Sequence, residues 1–118
     1  MVKESDTMND LNSVLLEGVL VENPKASTSP DGQARCNFIV TTVWEDMRHE
    51  GRKTETFYFD VVVYGQLGQK CLDDLKAGRG VRVVGRLKRE SSTDPEGEYH
   101  SEIKIVAEHV EFKPLKGE

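Results

Sequence analysis

The sequence predicts an all-β domain: a closed barrel of five strands in Greek-key order, with one short helix between the third and fourth strands. Three observations support this prediction. Five runs alternate apolar and polar residues, one run between them has helical spacing, and 118 residues suffice for a single core. A β-sandwich would need about seven strands and no internal helix, and a split βαβ fold would need two helices.

Composition excludes several classes of protein. Apolar residues make up 36% and charged residues 31% of the chain, which is the balance of a folded globular domain. No apolar run approaches the roughly 18 residues of a membrane-spanning helix, and Met1–Asp10 lacks the apolar stretch of a secretory signal. We therefore expect no membrane partner and a cytoplasmic location.

Chemistry-bearing residues do not form a recognisable catalytic or metal-binding motif. Cys36 and Cys71 lie outside any CxxC pair, so they are expected to be buried free thiols. The histidines are scattered, and no serine, cysteine or threonine has a base and an orienting residue at motif spacing. The sequence therefore predicts no enzyme, no metal and no cofactor.

Three segments divide the chain. Residues 1–11 are polar and acidic without a period, which predicts a disordered N-terminal arm. The folded domain is expected to span residues 12–113, and residues 114–118 to form a short C-terminal tail.

The first two strands are separated by turn-forming residues. Val14–Val21 is rich in aliphatic residues, with Gly18 where a bend or bulge is possible. Glu22–Gly32 gathers proline, serine, aspartate and glycine and predicts a hairpin connection. Gln33–Trp44 alternates as a long second strand. One face of this strand is predicted to carry Ala34, Cys36, Phe38, Val40, Thr42 and Trp44, and the other face Arg35, Asn37, Ile39, Thr41 and Val43.

A charged loop precedes the third strand. Glu45–Thr54 predicts a protruding polar hairpin loop, and Glu55–Tyr64 predicts a strand. Alternation gives this strand a core face with Phe57, Phe59, Val61 and Val63. The other face carries Tyr58, Asp60, Val62 and Tyr64.

Helical spacing begins at Gly65. The residues predicted to share one side of a short helix, which Gly78 ends, are Leu67, Cys71, Leu72 and Leu75. Val81–Leu87 is the fourth strand, and Thr93–Gly97 is a turn. Inward positions of the fourth strand are Val81, Val83 and Leu87.

The last strand, Tyr99–Phe112, needs an irregularity. Ile103 and Ile105 are predicted to face inward, but Val110 and Phe112 have the opposite parity. A bulge near Ala107 is required to bury all four.

This order of elements is typical of the oligonucleotide-binding (OB) barrel. Several blocks resemble the bacterial single-stranded DNA-binding protein family, and together they cover Asn12–Phe112: NSVLLEG, LVENP, FIVTTVW, VVVYGQL, LKAG, VRVVGRL and IKIVAEHV. The resemblance implies non-enzymatic, largely sequence-independent binding of single-stranded DNA in replication, recombination and repair. It also implies a nucleoid-associated homotetramer, and a dimer is the alternative.

Aromatic residues are the first part of the predicted binding site. The positions that match the family's stacking residues are Trp44, Tyr58 and Tyr64. Independently, the spacing of Tyr58 and Tyr64 places them on one face of a strand, about 20 Å apart, so that they can hold different nucleotides. Trp44 has the alternative role of capping the core.

Basic residues are the second part. Net charge is −5, yet Arg79–Arg89 contains no acid, and local charge decides attraction of a polyanion. Solvated charge or protection of an edge strand is the alternative. The candidate phosphate contacts are Arg35, Arg48, Arg52, Lys53, Arg82, Arg86, Lys88 and Arg89.

Departures from the family leave other functions open. Glu90–Asp94 offers only serines where the family often has a tryptophan, and Asp60 stands where a basic residue is common. The chain stops at Pro114–Glu118 without a long linker and acidic tip, so recruitment of replication enzymes through a tail is doubtful. A primosome-type protein-interaction subunit with weak nucleic-acid binding and an RNA binder are the alternatives.

A homo-oligomer is also predicted from the residues. One small barrel offers a short groove, and the outward face of the sheet is expected to expose Val62, Val84 and Val106 to a symmetric partner. We expect a twofold dimer through the first strands, doubled to a tetramer. Phe59, where the family often has a polar residue near the subunit contact, can alter the second interface.

Overall fold

The computed structural model describes residues 9–48, 51 and 53–114. Most of the predicted N-terminal arm and C-terminal tail lies outside these residues, so both boundaries stay predictions. Within the described part, the elements are β1 (Val14–Leu20), β2 (Lys25–Thr28), β3 (Ala34–Asp46), β4 (Lys53–Tyr64), α1 (Gly65–Asp74), β5 (Gly80–Thr93) and β6 (Tyr99–Phe112).

Five of the strands close a barrel. β1 pairs with both β3 and β5, β5 pairs with β6, β6 with β4, and β4 with β3. The β4–β6 pairing is parallel and the others are antiparallel. This arrangement confirms the predicted five-stranded barrel, with α1 between its third and fourth strands. Among the described residues, no helix is long and apolar enough to cross a bilayer.

The short strand β2 is missing from the sequence prediction, which assigned Glu22–Gly32 to a connection. β2 pairs with β3 at the edge of the sheet, and all four of its residues are exposed. Without a buried face it has no apolar alternation to reveal it. The turn that follows is confirmed, since the Gly32 amide donates to the Ser29 carbonyl over 2.9 Å.

The core lies inside the barrel and beneath α1. Burial confirms the predicted core positions Val61 and Val63 of β4. The shared face of β3 is buried at its middle, at Cys36, Phe38 and Val40. On the helix side, Cys71 and Leu75 are buried and Leu67 and Leu72 are partly buried against the core. Burial raises the pKa of Cys36 to about 11 and that of Cys71 to about 12, as expected for unreactive thiols.

Gly18 marks the bend of β1. A Cβ atom at this position would lie 2.2 Å from the carbonyl oxygen of Thr41. At this point β1 passes from its ladder with β5 to its ladder with β3, and Val19 pairs with both strands. The predicted bend is confirmed, and the close approach requires glycine.

A bulge in β6 keeps its two halves in register with β5. Gly85 pairs with Ala107, and the ladder skips Glu108 before it resumes. A Cβ atom at Gly85 would lie 2.0 Å from the carbonyl oxygen of Val106. The bulge predicted near Ala107 is therefore confirmed.

Both long hairpins extend past the barrel as two-stranded arms, and this corrects part of the predicted core. Four residues predicted to face inward are exposed: Phe57 by 42%, Phe59 by 37%, Leu87 by 46% and Ile103 by 52%. Their side chains do lie on the face that continues the core, but β1 pairs with β3 only as far as Thr41. Beyond the barrel wall, no strand in the described part of the chain crosses over them.

The prediction of outward, exposed valines is wrong. Val62 and Val106 are 0% and 5% exposed, and Val84 is half-buried. Val62 and Val106 pair with each other where β4 meets β6, in the middle of the sheet, with β3 and β5 on either side. Val62 and Val106 therefore offer no surface to a partner.

Candidate nucleic-acid interface

The outer face of β4 carries two tyrosines. Tyr58 pairs with Thr41 and is 66% exposed, and Tyr64 pairs with Arg35 and is half-buried. Their six-residue separation corresponds to about 20 Å along a strand. As predicted, they share a face of one strand, and their separation is enough for each to contact a different nucleotide.

Two cations hold the ring of Tyr64. The Arg35 Nη1 donates to the Tyr64 hydroxyl over 3.2 Å. The Lys88 ammonium lies 5.9 Å from the centre of the ring, within cation–π distance. A base that stacks on Tyr64 would therefore bring its phosphate close to a positive charge.

Arg35 itself is taken up by an ion pair. Its two terminal nitrogens donate to both carboxylate oxygens of Glu90, with Nη2 3.1 Å from Oε1. The side chains of Arg35 and Glu90 are only 7% and 10% exposed. Hydrogen bonds from Arg35 lower the pKa of Glu90, because they favour its charged form. Arg35, a candidate phosphate contact in the sequence, thus lies inside the protein with its charge balanced.

Two further candidate phosphate contacts on β5, Arg82 and Arg86, also form ion pairs. Arg82 Nη2 lies 2.8 Å from a Glu17 carboxylate oxygen on β1, and Arg86 lies 3.6 Å from Glu108 on β6. The acids come from neighbouring strands, so they do not interrupt the sequence of β5. Their charge lowers the attraction of Arg82 and Arg86 for a polyanion.

The other two candidates on β5, Lys88 and Arg89, lie on the β5–β6 arm, where fewer acidic side chains balance their charge. Among the described residues, Lys88 and Arg89 form no ion pair. Lys88 faces Tyr64, whereas Arg89 donates to the Ser101 hydroxyl over 3.0 Å on the other face of the arm. Lys88 and Arg89 therefore lie on opposite faces of the β5–β6 arm.

The end of the β3–β4 arm holds the remaining basic candidates. Arg48 is 83% exposed and donates to both carboxylate oxygens of Asp46, at 3.0 and 2.9 Å. Lys53 is exposed and pairs with Asp46 in the β3–β4 ladder. Arg52 lies outside the described residues. The arm end thus combines cations with an acid that already binds one of them.

Trp44 lies on the other face of this arm from the tyrosines. It pairs with Glu55, whereas Tyr58 pairs with Thr41, three residues away along β3, and an odd spacing reverses the face. The indole is 64% exposed. Its face also carries Phe57 and Phe59. The alternative role of Trp44 as a core cap does not fit this exposure.

Asp60 interrupts the tyrosine face. It is exposed, pairs with Ile39 and lies between Tyr58 and Tyr64 on the outer side of β4. A carboxylate at this point repels a phosphate chain that passes from one ring to the other.

The turn between β5 and β6 holds the one group of possible metal ligands found among the described residues: Asp94, Glu98 and His100. Asp94 Oδ2 lies 2.8 Å from His100 Nε2, and Asp94 Oδ1 accepts from the Glu98 amide over 2.8 Å. These bonds close the turn, and the group lies at the surface.

Tyr99 is an exposed aromatic residue that the sequence analysis did not consider. It is 68% exposed, and its hydroxyl donates to the Ser91 hydroxyl over 2.8 Å. The available signal was its place two residues after the polar turn Thr93–Gly97, where a hairpin has no core for an aromatic ring to join.

Comparison with known proteins decides the family. The sequence model of the single-strand binding protein family matches residues 11–113. This chain belongs to that family. Membership agrees with the resemblance found in the sequence and with the closed barrel.

Curated relatives in the single-strand binding family come from several bacteria. The chain is 33% identical over 109 residues to a single-stranded DNA-binding protein of Neisseria meningitidis. This alignment covers 91% of this chain and 61% of the relative. It is 31% identical over 105 residues to a single-stranded DNA-binding protein of Treponema pallidum, and this alignment covers 89% of this chain and 59% of the relative. The chain thus spans about three fifths of these two relatives. It spans 98% of single-stranded DNA-binding protein 1 of Clostridium acetobutylicum, at 29% identity.

Solved structures of the family share the fold. A Plasmodium falciparum SSB in complex with ssDNA matches with a TM-score of 0.76 and 22% identity, and covers 92% of this chain and 99% of that one. A deletion mutant of the single-stranded DNA binding protein from Thermus aquaticus matches with a TM-score of 0.77 and 25% identity, and covers 91% and 52%.

Proposed function

We propose that this protein binds single-stranded DNA largely without regard to sequence, by binding and not by catalysis, during replication, recombination and repair. The observation that carries the proposal is the outer face of β4. Tyr58 and Tyr64 stand there on one strand, and Lys88 lies over the second ring. Stacking of bases on such rings and pairing of phosphates with nearby cations is how sequence-independent single-strand binding works. A cytoplasmic, nucleoid-associated location belongs to the same proposal.

The family supports this function, since the relatives are named single-stranded DNA-binding proteins and one neighbour is in complex with ssDNA. The proposed phosphate contacts are the cations at the surface of the strands and arms: Arg48, Arg52, Lys53, Arg82, Arg86, Lys88 and Arg89. Arg35 is proposed to position Tyr64, because its guanidinium binds the tyrosine hydroxyl and Glu90.

Trp44 is proposed as a third platform, reached where the DNA crosses the β3–β4 arm. Its exposed indole is open to stacking, but its face differs from that of Tyr58. The bound DNA must therefore pass around an edge of the β3–β4 arm to contact both Trp44 and Tyr58.

Fluorescence titration tests the proposal. Poly(dT), duplex DNA and RNA are titrated at low and high salt, with the emission of Trp44, the one tryptophan of the chain, as the signal. We expect tight binding and quenching with poly(dT), weaker binding with duplex, and a loss of affinity at high salt. Tight binding of RNA alone would indicate an RNA binder. An absence of binding to all three would favour the accessory protein-interaction subunit.

We also propose a homotetramer. Because the buried valines are not available, this proposal rests on two other apolar surfaces, both of which are exposed. The outer face of β1 carries Leu15, 73% exposed, and Val19, 40% exposed, and the inner face of the β3–β4 arm carries Phe57 and Phe59. One surface can pair two chains about a twofold axis and the second can join two dimers. A dimer is the alternative if Phe59 prevents the second contact.

A further inference from the structure

Asp60 places a negative charge in the middle of the tyrosine face. It lies between Tyr58 and Tyr64 on β4, about 7 Å along the strand from the first and about 13 Å from the second. Its side chain is exposed, and within the described part of the chain it forms no ion pair. A ligand that spans the two tyrosines therefore meets an uncompensated carboxylate.

A small cleft lies beside Asp60. Its volume is about 120 Å³, and its walls include Ile39, which pairs with Asp60 in the β3–β4 ladder. Lys104 of β6 lines the same cleft, and its side chain is 17% exposed. The Lys104 ammonium lies 3.3 Å from a carboxylate oxygen of Glu102, and an ammonium has three N–H donors, so this contact leaves donors for a ligand. The cleft thus presents a carboxylate and an ammonium group to one small volume.

The part of a DNA strand that meets Asp60 follows from the positions of the tyrosines. Bases that stack on Tyr58 and Tyr64 point toward the sheet, about 20 Å apart, whereas bases in a continuous stack are about 3.4 Å apart. The strand must therefore pass Asp60 with nucleotides that lie on neither ring. A phosphate is repelled at this point. A base edge with an N–H group is favoured instead, because a carboxylate accepts hydrogen bonds.

We propose that the cleft at Asp60 gives this protein a preference for cytosine over thymine. The inference rests on the proposed function and adds one base preference to binding that is otherwise largely independent of sequence. Cytosine carries the N4 amine beside the acceptors N3 and O2, so the amine can donate to Asp60 while Lys104 donates to O2. Thymine has the acceptor O4 in place of the amine. In the same position, that oxygen would face the carboxylate with no proton between them.

The ratio of two affinities tests this preference. Binding of labelled oligo(dT) and oligo(dC) of equal length by the whole chain is measured by fluorescence anisotropy at one salt concentration. Asp60→Asn removes the charge and keeps the shape, and an amide can face either base because it has both a donor and an acceptor. The dissociation constant for oligo(dT) divided by that for oligo(dC) should fall at least about fivefold in this variant, the lower limit for one base-edge contact.

Asp73→Asn is the matched control for charge. Asp73 is exposed on α1, away from the tyrosine face. The substitution makes the same change in net charge, so it should leave the ratio of the two dissociation constants at the wild-type value.

A base analogue tests the hydrogen bond without a change in the protein. Deoxynucleotides of 2-pyrimidinone lack the exocyclic amine of cytosine and keep the rest of its ring. Wild type should bind an oligonucleotide of this base at least about fivefold more weakly than oligo(dC). Asp60→Asn should discriminate less between the two, because a hydrogen bond to a neutral amide is weaker than one to a carboxylate. The wild-type measurement decides the question if the variant folds poorly.

The outcomes separate this inference from the proposed function. If Asp60→Asn changes the binding of oligo(dT) and oligo(dC) by the same factor, and wild type binds the analogue as tightly as oligo(dC), the carboxylate acts by repulsion alone. The inference is then wrong and the proposed function stands. An equal fall of the ratio in Asp73→Asn would also overturn the inference, because net charge would explain it. If wild type binds none of the oligonucleotides, the proposed function fails first.

Discussion

Arg35 and Glu90 form an almost fully enclosed ion pair that joins β3 to the base of the β5–β6 arm. The same guanidinium donates to the Tyr64 hydroxyl on β4 and, through Nε, lies 3.4 Å from the Ser27 hydroxyl on β2. One side chain therefore connects four strands at the place where the arm leaves the barrel. Its hydrogen bond to the hydroxyl holds Tyr64 from the neighbouring strand, which is the basis of the positioning role proposed for Arg35.

Removal of either partner of this pair should destabilise the fold. Arg35→Met or Glu90→Gln each leaves the other group without its charged hydrogen bonds, and we expect a loss of about 2 kcal/mol in the free energy of unfolding. Replacement of both residues, Arg35→Met with Glu90→Gln, should cost less than the sum of the two single losses. Urea denaturation measures this cycle. Strictly additive losses would show that the pair contributes no coupling.

The pair should also make stability depend on pH. The pKa of Glu90 is lowered in the folded state, chiefly by the hydrogen bonds of Arg35. A lowered folded pKa gives stability that is present above the unfolded value, about 4.3, and lost as pH falls through the folded value. Unfolding free energies between pH 7 and pH 3 should therefore fall less steeply for Glu90→Gln than for wild type. Parallel curves would contradict this assignment.

The β4 tyrosines should each contribute one stack. We expect Tyr58→Ala and Tyr64→Ala to weaken binding of poly(dT) by about 1–3 kcal/mol each, the value for loss of one stacked base. Tyr58 is the more exposed, so its replacement should leave the thermal midpoint unchanged. Phenylalanine at each position is the control that keeps the ring. Wild-type affinity in both alanine variants would place the DNA on another face.

Asp60 should oppose binding. Because its carboxylate lies on the face between the two tyrosines, Asp60→Asn removes a repulsion and should strengthen binding, most at low salt, where screening is weakest. Asp73→Asn, on the exposed surface of α1, makes the same change in charge away from this face. Equal effects of the two substitutions would indicate a response to net charge only.

Oligomeric state should depend on two surfaces. Light scattering over a dilution series is expected to give a mass near four times 13.3 kDa. Leu15→Glu should disrupt the contact through β1, and Phe57→Glu the contact through the β3–β4 arm, because each puts a charge into an apolar interface. A wild-type mass of one chain at every concentration would rule out assembly through either surface.

The amino-acid sequence by itself determined the five barrel strands, the helix and the irregularities, although the exposed edge strand β2 was missed. Alternation placed Phe38 and Val40 of β3 in the core, and conflicting parity in the last strand required a bulge, which Glu108 supplies. These features are local, since the side-chain period of a strand depends on its own backbone. For the same reason the sequence placed Tyr58 and Tyr64 on one face.

Only the tertiary structure decided which faces are covered and which charges are balanced. Phe57 and Val62 lie five residues apart on β4, yet the phenylalanine is exposed and the valine is buried, because β6 adjoins the strand at Val62. Likewise Arg82 meets Glu17 from a strand 65 residues away in the chain. Burial and ion pairing depend on neighbouring residues from distant segments of the chain. The alternation of residues within one strand does not predict these neighbours.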